Sequence, residues 1–246
     1  MKILGGLTVP GVNQIGLAKE NQDAFFCLNN ENFSLIICAD GAGSTKFGAI
    51  GSHHLARNLY NKLKRADPLI TQTEFTSKIT QTINFTRNAI SRYCQFYERS
   101  ACISDFASTL AIAVIFEKHA FSAHLGDGCI LFLDCDNRLV DSSLPENGEY
   151  SNETYFFTDF KWHEKLRIKL VDKKFSNCLV MTDGITPFAL KGENIFDEFI
   201  SPIIKYLKKT DPNEATQALK QTFLSDQSLQ VSKDDKTLGW YLADEG

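Results

Sequence analysis

Three uninterrupted runs of apolar residues predict buried strands, because a strand covered on both faces shows no polar alternation. They span residues 33–39, 109–116 and 177–182. A fourth apolar stretch, 120–133, alternates in part and is interrupted by Gly126-Asp127-Gly128, which predicts a hairpin with a tight turn at that point. Residues 237–242 predict one more strand near the end of the chain.

Apolar residues recur at helical spacing in 48–64 and 74–97, which predicts two amphipathic helices. Asp211-Pro212-Asn213-Glu214 predicts the start of a third, with an N-cap acceptor, proline at N1 and glutamate at N3. Clustered strands with helices segregated from them predict an α+β layered domain with antiparallel sheets. No repeat or linker interrupts 1–246, so we expect a single domain. Its polar, irregular segment 142–176 predicts a flap-like functional loop.

Composition narrows the class of protein. The chain has 246 residues, 43% of them hydrophobic, and a net charge of −4, which is typical of a soluble protein with a large core and argues against a nucleic-acid partner. No window approaches the ~18 apolar residues that cross a bilayer, and the start is too short and glycine-rich for a signal peptide. The seven cysteines are scattered without a Cys-x-x-Cys pair, so we expect a reduced, cytoplasmic protein without a membrane partner.

Aspartates follow two of the predicted buried strands. Asp40 ends the first run and precedes Gly41, and Asp183 ends the third and precedes Gly184. One Asp-Gly step is ordinary turn chemistry. An ionised carboxylate at the end of a core strand is costly, however, unless it is paired or binds a metal. An all-oxygen set without His or Cys favours Mg²⁺ or Mn²⁺ over zinc.

Six short motifs occur in order along almost the whole chain, from about residue 13 to 242. They are Glu20-Asn21-Gln22-Asp23, Ala39-Asp40-Gly41-Ala42-Gly43-Ser44, Ser108-Thr109-Leu110, Leu125-Gly126-Asp127-Gly128, Met181-Thr182-Asp183-Gly184-Ile185 and Asp234-Asp235-Lys236-Thr237-Leu238. Each motif is weak alone. Together they resemble the bacterial 2C-type family of metal-dependent serine/threonine protein phosphatases.

The resemblance implies a four-layer α/β/β/α sandwich, with two central antiparallel β-sheets flanked by helices and a binuclear Mn²⁺ or Mg²⁺ centre at one end. Asp40 would bridge both ions, and the Gly41 carbonyl would complete one coordination shell. Asp183 and Asp234 would bind one ion, and Asp23 the other side, while Asp127 with Asp183 would form a weaker third site. Asp40 and Asp183 would then act in catalysis through a metal-bound water.

Three positions depart from the family. Gln22 stands where longer-studied members have Glu, and it would support a metal-bound water. Ala18 stands where an arginine usually binds the substrate phosphate, so Lys46 or Lys19 would replace it, with a slight preference for Lys46. Ala42 stands where many relatives carry a histidine general acid, and a slower enzyme is therefore expected.

These patterns favour an enzyme that hydrolyses phosphoserine or phosphothreonine in proteins. We expect its partner to be a Ser/Thr kinase or the target of that kinase, and we expect the enzyme to be a monomer. A second hypothesis is a catalytically weak module of the same fold that binds phosphoproteins or a kinase, which Ala18 and Ala42 favour. A calcium-binding module fits less well, because no loop of closely spaced Asp and Asn repeats.

Overall fold

Two antiparallel five-stranded sheets form the centre of the structure, a computed structural model that describes residues 2–13, 15–146 and 154–243. The first sheet has the order β1-β12-β9-β6-β7, with β1 Lys2–Val9, β12 Lys236–Ala243, β9 Asn177–Met181, β6 Cys129–Leu133 and β7 Leu139–Ser143. The second has the order β2-β3-β4-β5-β8, with β2 Asp23–Asn29, β3 Ser34–Asp40, β4 Leu110–Ile115, β5 Ala120–Leu125 and β8 Arg167–Val171.

Helices cover the outer face of each sheet. Those near the second sheet are α1 Gly48–Leu63 and α2 Gln72–Phe96, followed by a 3₁₀ turn Ile103–Phe106. The later ones are α3 Trp162–Lys165, α4 Thr186–Ala189, α5 Asp197–Lys209, α6 Pro212–Phe223 and α7 Asp226–Val231, with a small hairpin of β10 Leu190–Lys191 and β11 Asn194–Ile195 between α4 and α5. No helix in the described ranges is long and apolar enough to cross a membrane.

Three buried clusters show how the layers pack. One joins α1 and α2 to the second sheet, another joins α5 and α6 to the first, and the third lies between the two sheets. Strand β3 belongs to two of them, since Leu35 and Ile37 face the helices while Ile36 and Cys38 face the other sheet. This explains its uninterrupted apolar run. The α+β four-layer sandwich with two antiparallel sheets is confirmed.

The predicted hairpin at 120–133 is wrong. Strand β5 pairs with β4 and β8 in the second sheet, whereas β6 pairs with β7 and β9 in the first. The Gly126-Asp127-Gly128 turn therefore carries the chain from one sheet to the other. The alternation of apolar and polar residues along a strand does not show whether the next strand pairs with it or joins the facing sheet, so the sequence pattern could not distinguish the two.

The predicted irregular segment 142–176 is in part regular. It contains the end of β7, the short helix α3 and the edge strand β8, while its residues 147–153 lie outside the described residues. Strand β8 escaped prediction because only its last residue, Val171, is fully buried, so its apolar pattern is faint.

Candidate metal centre

Asp40 lies at the end of β3, where the second sheet opens toward a cleft. The β2–β3 register places Asp23 directly opposite it. Its backbone is held by Thr109, whose hydroxyl accepts the Asp40 amide at 3.1 Å and whose own amide donates to the Asp40 carbonyl at 2.9 Å. Two aspartates are thus fixed as a cross-strand pair before any side-chain contact is considered.

The turn between the sheets brings in Asp127. Gly126 has a φ of +107°, and a Cβ there would lie 2.7 Å from Thr109 Cγ2. A Cβ at Gly128 would lie 2.6 Å from the Met181 carbonyl oxygen. Both glycines are therefore required by close approach of neighbouring strands, and Asp127 between them has little freedom to move away.

Asp183 follows β9 of the first sheet and completes the group. Its neighbour Gly184 packs so tightly that a Cβ would lie 1.9 Å from the Asp235 carbonyl oxygen. Carboxylate oxygens of Asp40, Asp127 and Asp183 lie within 4.8 Å of one another. We call these three residues the carboxylate cluster. They come from both sheets and from the turn that joins the sheets.

Asp23 is almost fully buried, with 2% of its surface exposed. Its Oδ2 accepts hydrogen bonds from Thr237 Oγ1 at 2.6 Å and Thr182 Oγ1 at 2.9 Å. Its Oδ1 has no hydrogen-bond partner in the described part of the chain. The two hydroxyls thus fix one oxygen and leave the other available to a ligand.

Burial, together with the proximity of these acids to one another, raises their pKa values. Burial, and then the charges of Asp23, Asp183 and Asp127, raise the pKa of Asp40 well above its ordinary value. Burial, followed by Asp127 and Asp234, raises the pKa of Asp183 to about 7. Burial also raises the pKa of Asp23 to about 6, against the lowering effect of the Thr237 hydrogen bond. Each shift reports negative charge without enough compensation.

A divalent cation fits this environment. Among the residues the structure describes, no lysine or arginine forms an ion pair with the carboxylate cluster. Asp127 Oδ1, like Asp23 Oδ1, is buried without a hydrogen-bond partner within the described ranges. Carboxylate oxygens are the donors that Mg²⁺ and Mn²⁺ prefer. A bound cation would supply the compensation that the protein itself does not.

The two aspartates before β12 differ sharply. Both oxygens of Asp235 accept backbone amides, from Gly11 at 2.6 Å and Gln22 at 2.7 Å. The side chain of Asp234 is 63% exposed and lies 3.2 Å from Lys19 Nζ. Asp235 is therefore occupied in holding two loops together, whereas the exposed carboxylate of Asp234 is held only by its ion pair with Lys19 within the described ranges.

A cleft of about 160 Å³ surrounds these groups. Every predicted metal ligand except Asp23 lines it, and so do Lys19, Gln22 and Ala42. Lys46 does not line it, because its Nζ lies 3.7 Å from Glu98 and 4.7 Å from the centre of the Phe47 ring. The slight preference for Lys46 is therefore not supported by its position: of the two lysines, Lys19 lies at the cleft.

Some residues of the site escaped sequence reasoning. Thr182 and Thr237 lie inside motifs that were recognised, yet neither was given a role. Their positions beside Asp183 and after Asp235 were the only available signal, since nothing local predicts that both hydroxyls converge on Asp23. The role of Asp235 as a double backbone acceptor was likewise invisible, because it depends on contacts more than 200 residues away along the chain.

Comparisons with known proteins bear on the family and the fold of the chain. The family model described as "Protein phosphatase 2C" matches residues 11–224. A bacterial serine phosphatase structure is 19% identical, covers 99% of both chains and gives a TM-score of 0.70. The serine/threonine phosphatase Stp1 from Staphylococcus aureus is 19% identical over 99% of this chain and 96% of its own, with a TM-score of 0.68.

A third similar structure was solved with metal ions. The catalytic domain of the serine/threonine phosphatase PstP, solved with two manganese ions, is 13% identical over 99% of both chains, with a TM-score of 0.67. At these identities the structural likeness shows the fold. No curated protein sequence matches the chain.

Proposed function

The chain belongs to the protein phosphatase 2C family and is a serine/threonine phosphatase by enzyme class, and from that membership we propose its reaction. It hydrolyses phosphoserine and phosphothreonine in proteins, with divalent cations held by the aspartates of the cleft. The observation that carries this proposal is the uncompensated carboxylate cluster, whose oxygens lie within 4.8 Å of one another.

In the proposed centre, Asp40 would be a ligand common to two ions, and the Gly41 carbonyl would complete the shell of one of them. Asp183 and Asp234 would hold one ion, and the unpartnered oxygen of Asp23 would serve the other. Asp127, whose Oδ1 is also unpartnered in the described ranges, would contribute with Asp183 to a third, weaker site. Gln22 would support a metal-bound water.

Two cations in this centre would lower the pKa of a shared water and neutralise charge that grows on the phosphoryl oxygens. The protein supplies the orientation. Thr182 and Thr237 hold one carboxylate oxygen of Asp23, and Thr109 holds the backbone of Asp40, so both residues are fixed at the cleft. No protein side chain is required as nucleophile.

Lys19 is the residue we propose for the substrate phosphate, in place of the arginine that Ala18 replaces. Its Nζ lies at the cleft beside Asp234, whereas Lys46 is engaged with Glu98 outside it. A lysine acts as a point charge and lacks the bidentate fork of arginine. Since Ala42 also lines the cleft where a histidine would assist the leaving group, we expect slower turnover than in relatives that have both groups.

The substrate we propose is a phosphorylated protein, either a Ser/Thr kinase or its target, and the location we propose is the cytoplasm. All seven cysteines are free, which supports a reducing compartment. Two ions in the resting enzyme, their identity as Mn²⁺ or Mg²⁺, and a monomeric state belong to the same proposal.

The test is hydrolysis of p-nitrophenyl phosphate and of a phosphothreonine peptide, with and without Mn²⁺. Asp40→Asn and Asp183→Asn should each lower the metal-stimulated rate at least about a hundredfold, because each removes a proposed metal ligand. Asp172→Asn makes the same change at an exposed carboxylate next to the end of β8 that pairs with Ala120, away from the cleft, and should retain the rate.

Calorimetric titration with Mn²⁺ accompanies the kinetics. A wild-type protein that binds Mn²⁺ and phosphopeptide but turns over neither substrate faster than Asp40→Asn would contradict the proposed reaction. That result would favour the phosphoprotein-binding module instead.

A further inference from the structure

A second groove opens directly beside the metal cleft. It has a volume of about 590 Å³, within the range that ligand sites occupy, and shares Asp127, Asp183 and Asp234 with the cleft. The metal cleft itself, at about 160 Å³, is much smaller. A phosphoryl group fits the small cleft, but the peptide that carries it has to continue into adjoining space.

The groove has one apolar side built on packed structure. Pro187 of α4 and Leu190 of β10 contribute to it, together with Pro145 and Val231, the last residue of α7. Helix α4 is anchored, since Ala189 is fully buried in the core of the first sheet. Val231 is 52% exposed and so presents its side chain to solvent. This wall offers an apolar surface that is in place before any ligand arrives.

Lys233 is the positively charged side chain of the groove and lies in its lining together with the three aspartates shared with the metal cleft. No other lysine or arginine occurs among the groove's described lining residues. Lys233 forms no ion pair with any carboxylate in the described ranges. Its carbonyl accepts the Val12 amide at 2.9 Å, so the backbone that carries it is tied down. Lys19, by contrast, is already paired with Asp234.

We propose that this groove binds the peptide segment next to the phosphorylated residue, and that Lys233 selects substrates with an aspartate or glutamate in that segment. The inference rests on the proposed function, because the phosphorylated residue has to lie at the carboxylate cluster. The groove is continuous with that cluster, and an apolar wall beside an unpaired ammonium group complements a segment that combines apolar and acidic residues.

The experiment compares paired phosphoserine peptides that differ only in one flanking residue, Glu or Lys. An extended chain advances about 3.3 Å per residue, so a panel with the charge at each of about four positions on either side spans the groove. Hydrolysis-resistant thiophosphoserine versions, labelled with fluorescein, report binding by anisotropy in the presence of Mn²⁺. Turnover of the ordinary peptides gives kcat/KM separately.

Wild-type protein should bind the Glu peptide about two- to fivefold more tightly than the Lys peptide at one or two adjacent positions, the effect of one solvent-exposed ion pair. Lys233→Glu should invert that ratio. Lys118→Glu, the same change at an exposed lysine in the turn between β4 and β5, should leave the ratio as it is.

Equal binding of every Glu and Lys pair by the wild type, or an unchanged ratio in Lys233→Glu, would overturn the assignment. Turnover separates this failure from that of the proposed function. If the wild type hydrolyses the peptides without a charge preference, the proposed reaction stands and the assignment of the groove fails. If the wild type shows a charge preference in binding that Lys233→Glu inverts, but no turnover, the assignment of the groove stands and the proposed reaction is refuted.

Discussion

Asp183→Asn should make the metal-free protein more stable above neutral pH. Burial and the nearby charges of Asp127 and Asp234 raise the pKa of Asp183 to about 7, compared with 3.8 for an unperturbed aspartate. That difference means that the ionised carboxylate costs about 4 kcal/mol of folding free energy. An amide of the same shape carries no charge and avoids most of this cost.

The sign of the pH dependence follows from a folded pKa that exceeds the unfolded one. Below pH 3.8 the group is protonated in both states, so its ionisation costs nothing. The cost appears as the pH rises from there and is complete above about 7. Metal-free wild type therefore loses stability across this interval. Asp183→Asn should not lose the part that comes from ionisation of Asp183.

We expect a gain of about 2–4 kcal/mol for Asp183→Asn at pH 8, because the amide remains a partly desolvated polar group. For a chain of this length that gain raises Tm by about 4–16 °C. Thermal unfolding in EDTA, followed by circular dichroism, measures it. At about pH 4 the two proteins should unfold at nearly the same temperature, and Asp172→Asn should show no gain at either pH.

Manganese should narrow the difference in stability between the two proteins. At a hundred times its Kd it stabilises the wild type by about 2.7 kcal/mol and Asp183→Asn by less, since a ligand is lost. The reasoning is refuted if Asp183→Asn is no more stable than the wild type at pH 8 in EDTA. The carboxylates would then be compensated in some way other than by a cation.

Three further outcomes follow from the same contacts. Asp234→Asn should weaken Mn²⁺ binding in calorimetry with little change in urea stability, whereas Asp235→Ala should lose about 2–4 kcal/mol in urea unfolding because two backbone amides lose their acceptor. Lys19→Ala should raise the inhibition constant of inorganic phosphate about tenfold, and Lys46→Ala should leave it unchanged; equal effects would contradict the assignment. Gly184→Ala should destabilise the fold by at least about 2 kcal/mol in urea, since its Cβ would lie 1.9 Å from a carbonyl oxygen, and a neutral effect would be contrary to that packing.

Burial on two faces is what made much of the fold predictable. Strands β3, β4 and β9 are covered on both sides, and their apolar runs were recognised. Strand β1 was missed because Gly5 and Gly6 interrupt its pattern. Those glycines serve packing, since a Cβ on Gly6 would lie 2.1 Å from Phe25 Cζ. That requirement exists only once β1 has been placed against β2.

The candidate site divides in the same way. Asp40 and Asp183 were indicated by local chemistry, because each ends a buried strand. Asp127 was indicated by motif alone, and the turn that carries it was assigned to the wrong connection. Its place beside Asp40 follows from the crossing between sheets, which periodicity does not report.

The origin of the carboxylate cluster links the packing of the sheets to the proposed function. Asp40 comes from the second sheet and Asp183 from the first, and Asp127 lies on the strand connection between them. The apolar cluster between the sheets holds these strand ends together regardless of the repulsion among the acids. Hydrophobic burial thus supplies the free energy that keeps negative charges close, and a cation recovers part of it on binding. Metal affinity and stability should therefore be coupled in this chain, so that variants that neutralise the cluster gain stability as they lose metal.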